Sequence, residues 1–273
     1  MRQWTVDAFA DRPFRGNPAC VVEPFDTWPD SGWMQSLAQE NNQAETAFLR
    51  RTTDAARFDL RWFTPGMEVD LCGHATLAAG HVLAAELGLK APVLTFDTRS
   101  GPLTVVRSGD GYEMDLPASA STRTTTPDLI AALSRALGAE AVEVWTSRYL
   151  VVILKDAATV RTLTPDIRAI AALQSEAGEP GQVVVAALSD DPAHDVMDRF
   201  FAPGCGVDED PATGSAHAIL GPLYAEKLER PVVRFFQAFP GRGGPMQTEV
   251  RGDRVLIRGQ AVSVMESVLR IPT

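Results

Sequence analysis

Glu45, Cys72, His74 and Asp210 are the residues of this chain whose types and settings could do chemistry. They lie in the stretches NNQAETAFL (41–49), VDLCGHATLAAGHVLAAELG (69–88) and EDPATGSA (209–216). Carboxylates, an imidazole and a thiol are the groups that move protons or attack carbon near neutral pH. Each also has an ordinary reading. A carboxylate at the mouth of a strand, as Glu45 is, is most often a surface charge; in a partly dry cleft it becomes a proton-transfer group. A histidine at a helix start, as His74 is, is commonly a satisfied polar residue; at a cleft it is a donor or proton relay. Asp210 sits where a helix dipole favours an acid in any case. A free cysteine such as Cys72 is usually a small buried hydrophobe.

The elements that must position these residues are mostly short strands. RQWTVDAFA (2–10) alternates with a period of two, and ACVVE, TAFLR, RFDLRWF, LTFDT, PLTVVRS and YEMDLP follow, broken by Gly, Pro and Asp. A second series comprises EVWTS, YLVVILK, QVVVAALS, PVVRFFQ, TEVRGDRVLIRG and QAVSVMESVLRI. RSGDGY and RGDR read as turns between paired strands. Surface helices are expected at 31–42, with Ser31 as N-cap, and at 126–138 and 164–178, the last two each opening Thr-Pro-Asp and closing at Gly.

Two helices differ from these. Residues 74–88, stopped by Gly88, and 214–229 are small and apolar on nearly every face, which requires burial on every face. A helix of that kind amid strands implies a sheet curled around it, and the arrangement occurs once in each half. FTPGMEVDLCGHAT precedes the first helix and FFAPGCGVDEDPATGSAH the second. Both run strand, Phe, Pro-Gly, an acidic segment and a Gly at the helix start, a faint internal repeat. A helix start carries unpaired N–H groups. Gly73 and Gly214 leave room for a ligand to approach those amides, and a carboxylate is the natural guest. The alternative is that Thr76, Ser215 or water caps each helix.

Composition bounds the partners. The formal net charge is −10, with 45% hydrophobic and 22% charged residues, and no basic stripe. Nucleic acid and anionic membranes are poor partners for such a surface. No run approaches a membrane span and the N-terminus has no secretory signal core, so a cytoplasmic location is expected. Cys20, Cys72 and Cys205 do not form a disulfide framework, and the four histidines show no metal-ligand spacing. Neither a metal nor a cofactor is expected.

GNPACVV (16–22), NNQAETAF (41–48), DLCGHATLAAGHVL (70–83) and EDPATGSAH (209–217) together resemble the PhzF family, phenazine-biosynthesis-like proteins of the diaminopimelate-epimerase-like superfamily. The resemblance spans essentially the whole chain. It implies an α+β fold of two pseudo-symmetric domains, each a rolled, barrel-like β-sheet around a central buried helix, with the active-site cleft between them. The expected domains are 1–118, with the C-terminal strand 262–273 returning to it, and 119–261. It further implies a cofactor-independent isomerase of the dihydro-hydroxyanthranilate-isomerase type, acting on a small unsaturated or cyclic carboxylic acid, and a homodimer. By motif, Glu45 is the general acid/base, with His74 and Asp210 as its catalytic partners. The amides of Gly73, Gly214 and Ser215, and the polar side chain of Asn17, would bind the substrate.

The sequence departs from its relatives in places. Racemases of the superfamily use two thiols, one at each helix start. Cys72 keeps the first position, whereas the second falls on Thr213, a poor base. Position 44 is Ala where the phenazine enzyme has a hydroxyl residue, so Asn17 and Gln43 would supply polar contacts. Arg148 and the loop 239–247 are further candidates to reach the substrate. Two other functions stay open: a one-thiol racemase or epimerase of an amino or imino acid using Cys72, and a non-catalytic binding protein on the same fold.

Overall fold

The computed structural model describes residues 1–175 and 180–270. They form a sheet-dominated mixture of strands and few helices, divided into two compact units: 1–116 with 258–273, and 117–257.

In the first unit, β1 (Arg2–Ala8) lies between β2 (Asn17–Val22) and the C-terminal strand Ala261–Val268, antiparallel to both. Helix α1 (Ser31–Asn41) then crosses to β3 (Glu45–Arg51), which runs parallel to β2 with Ala19 opposite Glu45. β4 (Arg57–Phe63) pairs antiparallel with β3 and with the short β5 (Glu68–Val69). After helix α2 (Gly73–His81), β6 (Val93–Thr98) joins β4 in parallel, and β7 (Gly101–Ser108) and β8 (Gly111–Pro117) extend the sheet antiparallel.

The sheet rolls around α2. This helix packs against β1, β2, β3, β7 and the C-terminal strand, and residues 74–80 are all buried. On the other face, α1 buries Met34, Leu37 and Ala38 against Val22, Phe25, Phe48 and Phe63. With both faces covered, Ala19–Val22 of β2 and Thr46–Leu49 of β3 are buried in nearly unbroken runs rather than alternately.

The second unit repeats this order. It starts with β9 (Thr122–Thr124), α3 (Pro127–Leu137), β10 (Glu143–Thr146) and β11 (Leu150–Ile153). Helices α4 (Ala157–Thr162) and α5 (Ile167–Ala171), β12 (Val183–Leu188), β13 (Val196–Ala202) and β14 (Val207–Asp210) follow. Then come α6 (Gly214–Lys227), β15 (Val232–Gln237), β16 (Gly244–Arg251) and β17 (Arg254–Gly259). β11 is antiparallel to β10 and parallel to β12; β13 is antiparallel to β12 and β14 and parallel to β15; β15 is antiparallel to β16. These are the relations of β1 through β7, strand for strand. The α3, α4 and α5 side chains Leu133, Leu137, Val160 and Ile170 cover the sheet residues Val152, Val183, Val185 and Phe201. Helix α6 is buried at nine positions between Gly214 and Tyr224 and packs on β15 and β16.

The repeat extends to side chains. Arg61 of β4 donates bidentately to Glu68 of β5 at 2.7 and 2.8 Å, and Arg199 of β13 does the same to Glu209 of β14 at 2.7 and 2.8 Å. Aligned on these pairs, Leu60 corresponds to Asp198 and Val69 to Asp210.

Several elements differ from the sequence expectation. The first buried helix is α-helical only to His81 and continues as a π-helical turn over Val82–Glu86, before Gly88 stops it with a φ of +71°. Asp30, not Ser31, is the N-cap of α1; its carboxylate accepts from the Gly32 amide at 2.8 Å. The helix expected at 164–178 is helical over Ile167–Ala171, and 176–178 lie outside the described residues. Residues 271–273 of the expected C-terminal strand also lie outside them, and the strand ends at Val268.

Candidate functional site

The first unit brings Asn17, Glu45, Cys72, Gly73 and His74 together. Asn17 opens β2, and Gly16 before it has a φ of +58°, with the Ala8 carbonyl so near that no Cβ fits. Glu45 opens β3 beside β2, on a strand rather than a loop. Cys72 is the N-cap of α2, and Gly73 and His74 are its first residues. The Cys72 side chain makes no cap hydrogen bond, and Thr76 donates its hydroxyl back to the Cys72 carbonyl at 2.5 Å. The amides at the start of α2 are therefore free of the cap that Thr76 could have supplied.

The imidazole of His74 is the hub. Its Nε2 is 2.9 Å from Glu45 Oε2, an ion-pair contact without the alignment of a good hydrogen bond. Its Nδ1 is 3.1 Å from Asn17 Nδ2 and 3.5 Å from Cys72 Sγ. Burial works against the imidazolium, but the contacts with Cys72 and Glu45 outweigh it and raise the His74 pKa well above the ordinary value. As an imidazolium the ring donates from both nitrogens, and Asn17 then presents its amide oxygen to Nδ1. Burial, reinforced by the Glu45 charge, pushes the Cys72 thiol up to about 11. At neutral pH Cys72 is a thiol and a weak nucleophile.

The second unit assembles Asp210, Thr213, Gly214 and Ser215 at the start of α6. The Thr213 hydroxyl donates to the Asp210 carboxylate. Gln237 ties the turn down: its oxygen accepts from the Thr213 amide at 2.8 Å, and its NH₂ group donates to the Asp210 carbonyl at 2.6 Å. Ser215 is not a cap; its hydroxyl shares a 3.0 Å hydrogen bond with Tyr149, whose ring leans on Phe200. His217 donates from Nδ1 to the Thr213 carbonyl at 2.8 Å, and its Nε2 lies 3.3 Å from the Asp198 carboxylate. Both side chains of that pair are fully buried.

Sequence reasoning missed Tyr149, Gln237, Asp198 and the role of His217. Gln237 and Asp198 stand opposite each other on paired strands, and such a partnership is visible only once the register is known. Gln43 binds the Asn41 carbonyl, weakly, at 3.5 Å. The Arg148 guanidinium lies over the Tyr149 ring, 5.5 Å from its centroid.

No helix among the described residues is long and apolar enough to cross a membrane. Comparison with known proteins adds family and fold. The profile of the PhzC-PhzF family, phenazine biosynthesis-like proteins, matches residues 6–267. An uncharacterized isomerase of Pseudomonas aeruginosa is 45% identical over 268 residues, covering 97% of each chain. The crystal structure of a PhzF-family phenazine biosynthesis protein from Enterococcus faecalis superimposes with a TM-score of 0.90 at 37% identity, covering 98% of this chain and 99% of that one. A probable proline racemase from Agrobacterium radiobacter is similar in fold alone, at 13% identity and a TM-score of 0.60 over 99% of this chain and 93% of that one.

Proposed function

The chain belongs to the PhzC-PhzF family of phenazine biosynthesis-like proteins, and from that footing we propose that it is a cofactor-independent isomerase. In this reading it moves a proton between two carbons of a small unsaturated or cyclic carboxylic acid. The observation that carries the reading is the Glu45–His74 contact of 2.9 Å beside the start of α2.

Glu45 takes the proton from carbon. The electron pair left behind spreads over the conjugated system, and the same carboxyl returns the proton to a second carbon. A cationic His74 holds Glu45 in place and offers a positive charge to the developing carbanion. The Gly73 amide, at a helix start where Cys72 as N-cap makes no side-chain cap bond, is proposed to contact the substrate carboxylate. Asn17 orients the imidazole. Asp210, Gly214 and Ser215 are proposed to serve the same reaction, Asp210 as an acid held by Thr213 and the others through their amides. The raised pKa of Cys72 speaks against a thiolate base and hence against the one-thiol racemase.

The test is isomerisation and deuterium uptake in D₂O across a panel of unsaturated, cyclic, amino and imino acids. Glu45→Gln should lower turnover by roughly 100-fold or more, whereas Cys72→Ala should keep it. Turnover that survives Glu45→Gln and disappears in Cys72→Ala would replace this reading with the thiol racemase. Tight binding of a panel acid with no turnover would replace it with a binding protein.

A further inference from the structure

We propose that Glu45, Cys72 and His74 form a binding site for a thiophilic divalent cation of the zinc class, and that an occupied site cannot transfer protons. The second half rests on the isomerase reading above; the first half does not.

A carboxylate oxygen, a thiol sulfur and an imidazole nitrogen from these residues all lie within 4.8 Å of one another. Those donors are the set that zinc prefers, and they exclude magnesium and calcium, which take oxygen alone. The Cys72 Sγ to His74 Nδ1 separation is 3.5 Å. A tetrahedral zinc with Zn–S of about 2.3 Å and Zn–N of about 2.0 Å sets its sulfur and nitrogen ligands roughly 3.5 Å apart. One edge of the coordination polyhedron is therefore already built, on two residues of a single helix start. Glu45 lies against the other ring nitrogen, 2.9 Å from Nε2, and has to swing toward the Cys72 side of the ring to complete a third corner.

Exposure fits the order of assembly. The Glu45 side chain is 17% exposed and that of His74 is 6% exposed, and Cys72 is 7% exposed. The ion meets the carboxylate first and is passed to the two ligands behind it. Three protein ligands leave a fourth position for water. On coordination the Cys72 S–H and His74 Nδ1–H bonds are replaced by sulfur–metal and nitrogen–metal bonds, and both protons leave to solvent. No electrons are exchanged. A Glu45 carboxylate bound to the ion no longer has its lone pair available for a carbon-bound proton. Sequence spacing hides the site, because Glu45 belongs to a strand 27 residues before Cys72 and no short ligand motif results.

The test titrates the metal-stripped full chain with Co²⁺. The expected result is a sulfur-to-cobalt charge-transfer absorption that saturates at one ion per chain and is bleached by Zn²⁺. Cys72→Ser should abolish the band. His74→Gln, as a second variant, should weaken Co²⁺ binding by at least 10-fold or so. Cys20→Ser and Cys205→Ser should leave it intact. Absence of the band in the wild type, or a band that survives Cys72→Ser, overturns the site. Zn²⁺ should suppress deuterium exchange in proportion to occupancy, and full exchange by a zinc-loaded chain overturns the inhibitory half. A normal band in a chain that turns over no acid of the panel upholds the site and removes the isomerase reading alone.

Discussion

His217 Nε2 lies 3.3 Å from Asp198 Oδ2, and neither side chain touches solvent. Tyr224, also buried and pushed far up in pKa by that burial and by the Asp198 charge, stands on the same helix. A buried carboxylate left without its partner is strongly destabilising. His217→Thr should therefore lower unfolding free energy by about 3 kcal/mol or more. The corresponding places in the first unit hold Leu60 and Thr76, and Thr76, like His217, bonds the carbonyl four residues earlier. The double variant Asp198→Leu with His217→Thr imports that uncharged solution. It should recover most of the loss, as read by urea unfolding of the single and double variants.

Gly80 of α2 and Gly221 of α6 occupy matching positions, seven residues into their helices, but the strands they press on differ. A Cβ at Gly80 would meet Val105 Cγ1 at 2.7 Å, whereas one at Gly221 would meet Thr248 at 3.1 Å. Valine is stiff at χ1 and cannot swing aside. Gly80→Ala should cost about 1–3 kcal/mol despite its better helix propensity. Gly221→Ala should cost less, and Val105→Ala should relieve the first variant and not the second. Thermal or urea melts of the four proteins decide it.

Thiol reactivity separates the proposed carboxylate mechanism from the one-thiol alternative. Cys72 is held protonated up to about 11 by burial and by Glu45. At pH 8 its thiolate fraction is on the order of 10⁻³, against about a quarter for a thiol of ordinary pKa. Exposed Cys205 should alkylate first. Cys72 should follow with a rate that rises about tenfold per pH unit until pH 11. Glu45→Gln removes a charge that raises the Cys72 pKa and should speed its alkylation at fixed pH. Peptide mass spectrometry after timed iodoacetamide treatment reads both effects. Equal rates for Cys72 and Cys205 at pH 8 would restore the thiol mechanism.

The strand-and-buried-helix pattern was legible because it rests on apolar continuity: no Asp, Glu, Lys or Arg interrupts residues 74–85, so their helix had to be enclosed. β13 is implied by the repeat, which places a strand ahead of the Phe and Pro-Gly in both halves, but it is missing from the second strand series: its sequence VMDRFFA carries Asp198 and Arg199, both buried, which break the alternation. Those charges are admissible only because His217 and Glu209 meet them from other elements. The N-cap of α1 was misplaced by one residue because Asp30 and Ser31 are both good caps, and backbone angles alone decide between them. Around the site, Glu45, Cys72 and His74 could be read from contiguous motifs. Tyr149, which hydrogen-bonds Ser215 from 66 residues away, could not.

The two units repeat one another strand for strand, yet their acid–base furniture is not duplicated. In the register fixed by Arg61 and Arg199, Thr46 corresponds to Val183, so the place held by Glu45 is held in the second repeat by Gln182. One copy brings a carboxylate, an imidazole and a thiol into contact, and the other ties Asp210 and Thr213 into a hydrogen-bonded frame with Gln237. A pair of matched bases inverts a stereocentre by working from opposite sides. A solitary base reaches a planar carbanion from one side only, so in the proposed reaction the hydrogen would leave and return suprafacially, and loss of symmetry between the repeats would fix the stereochemical course.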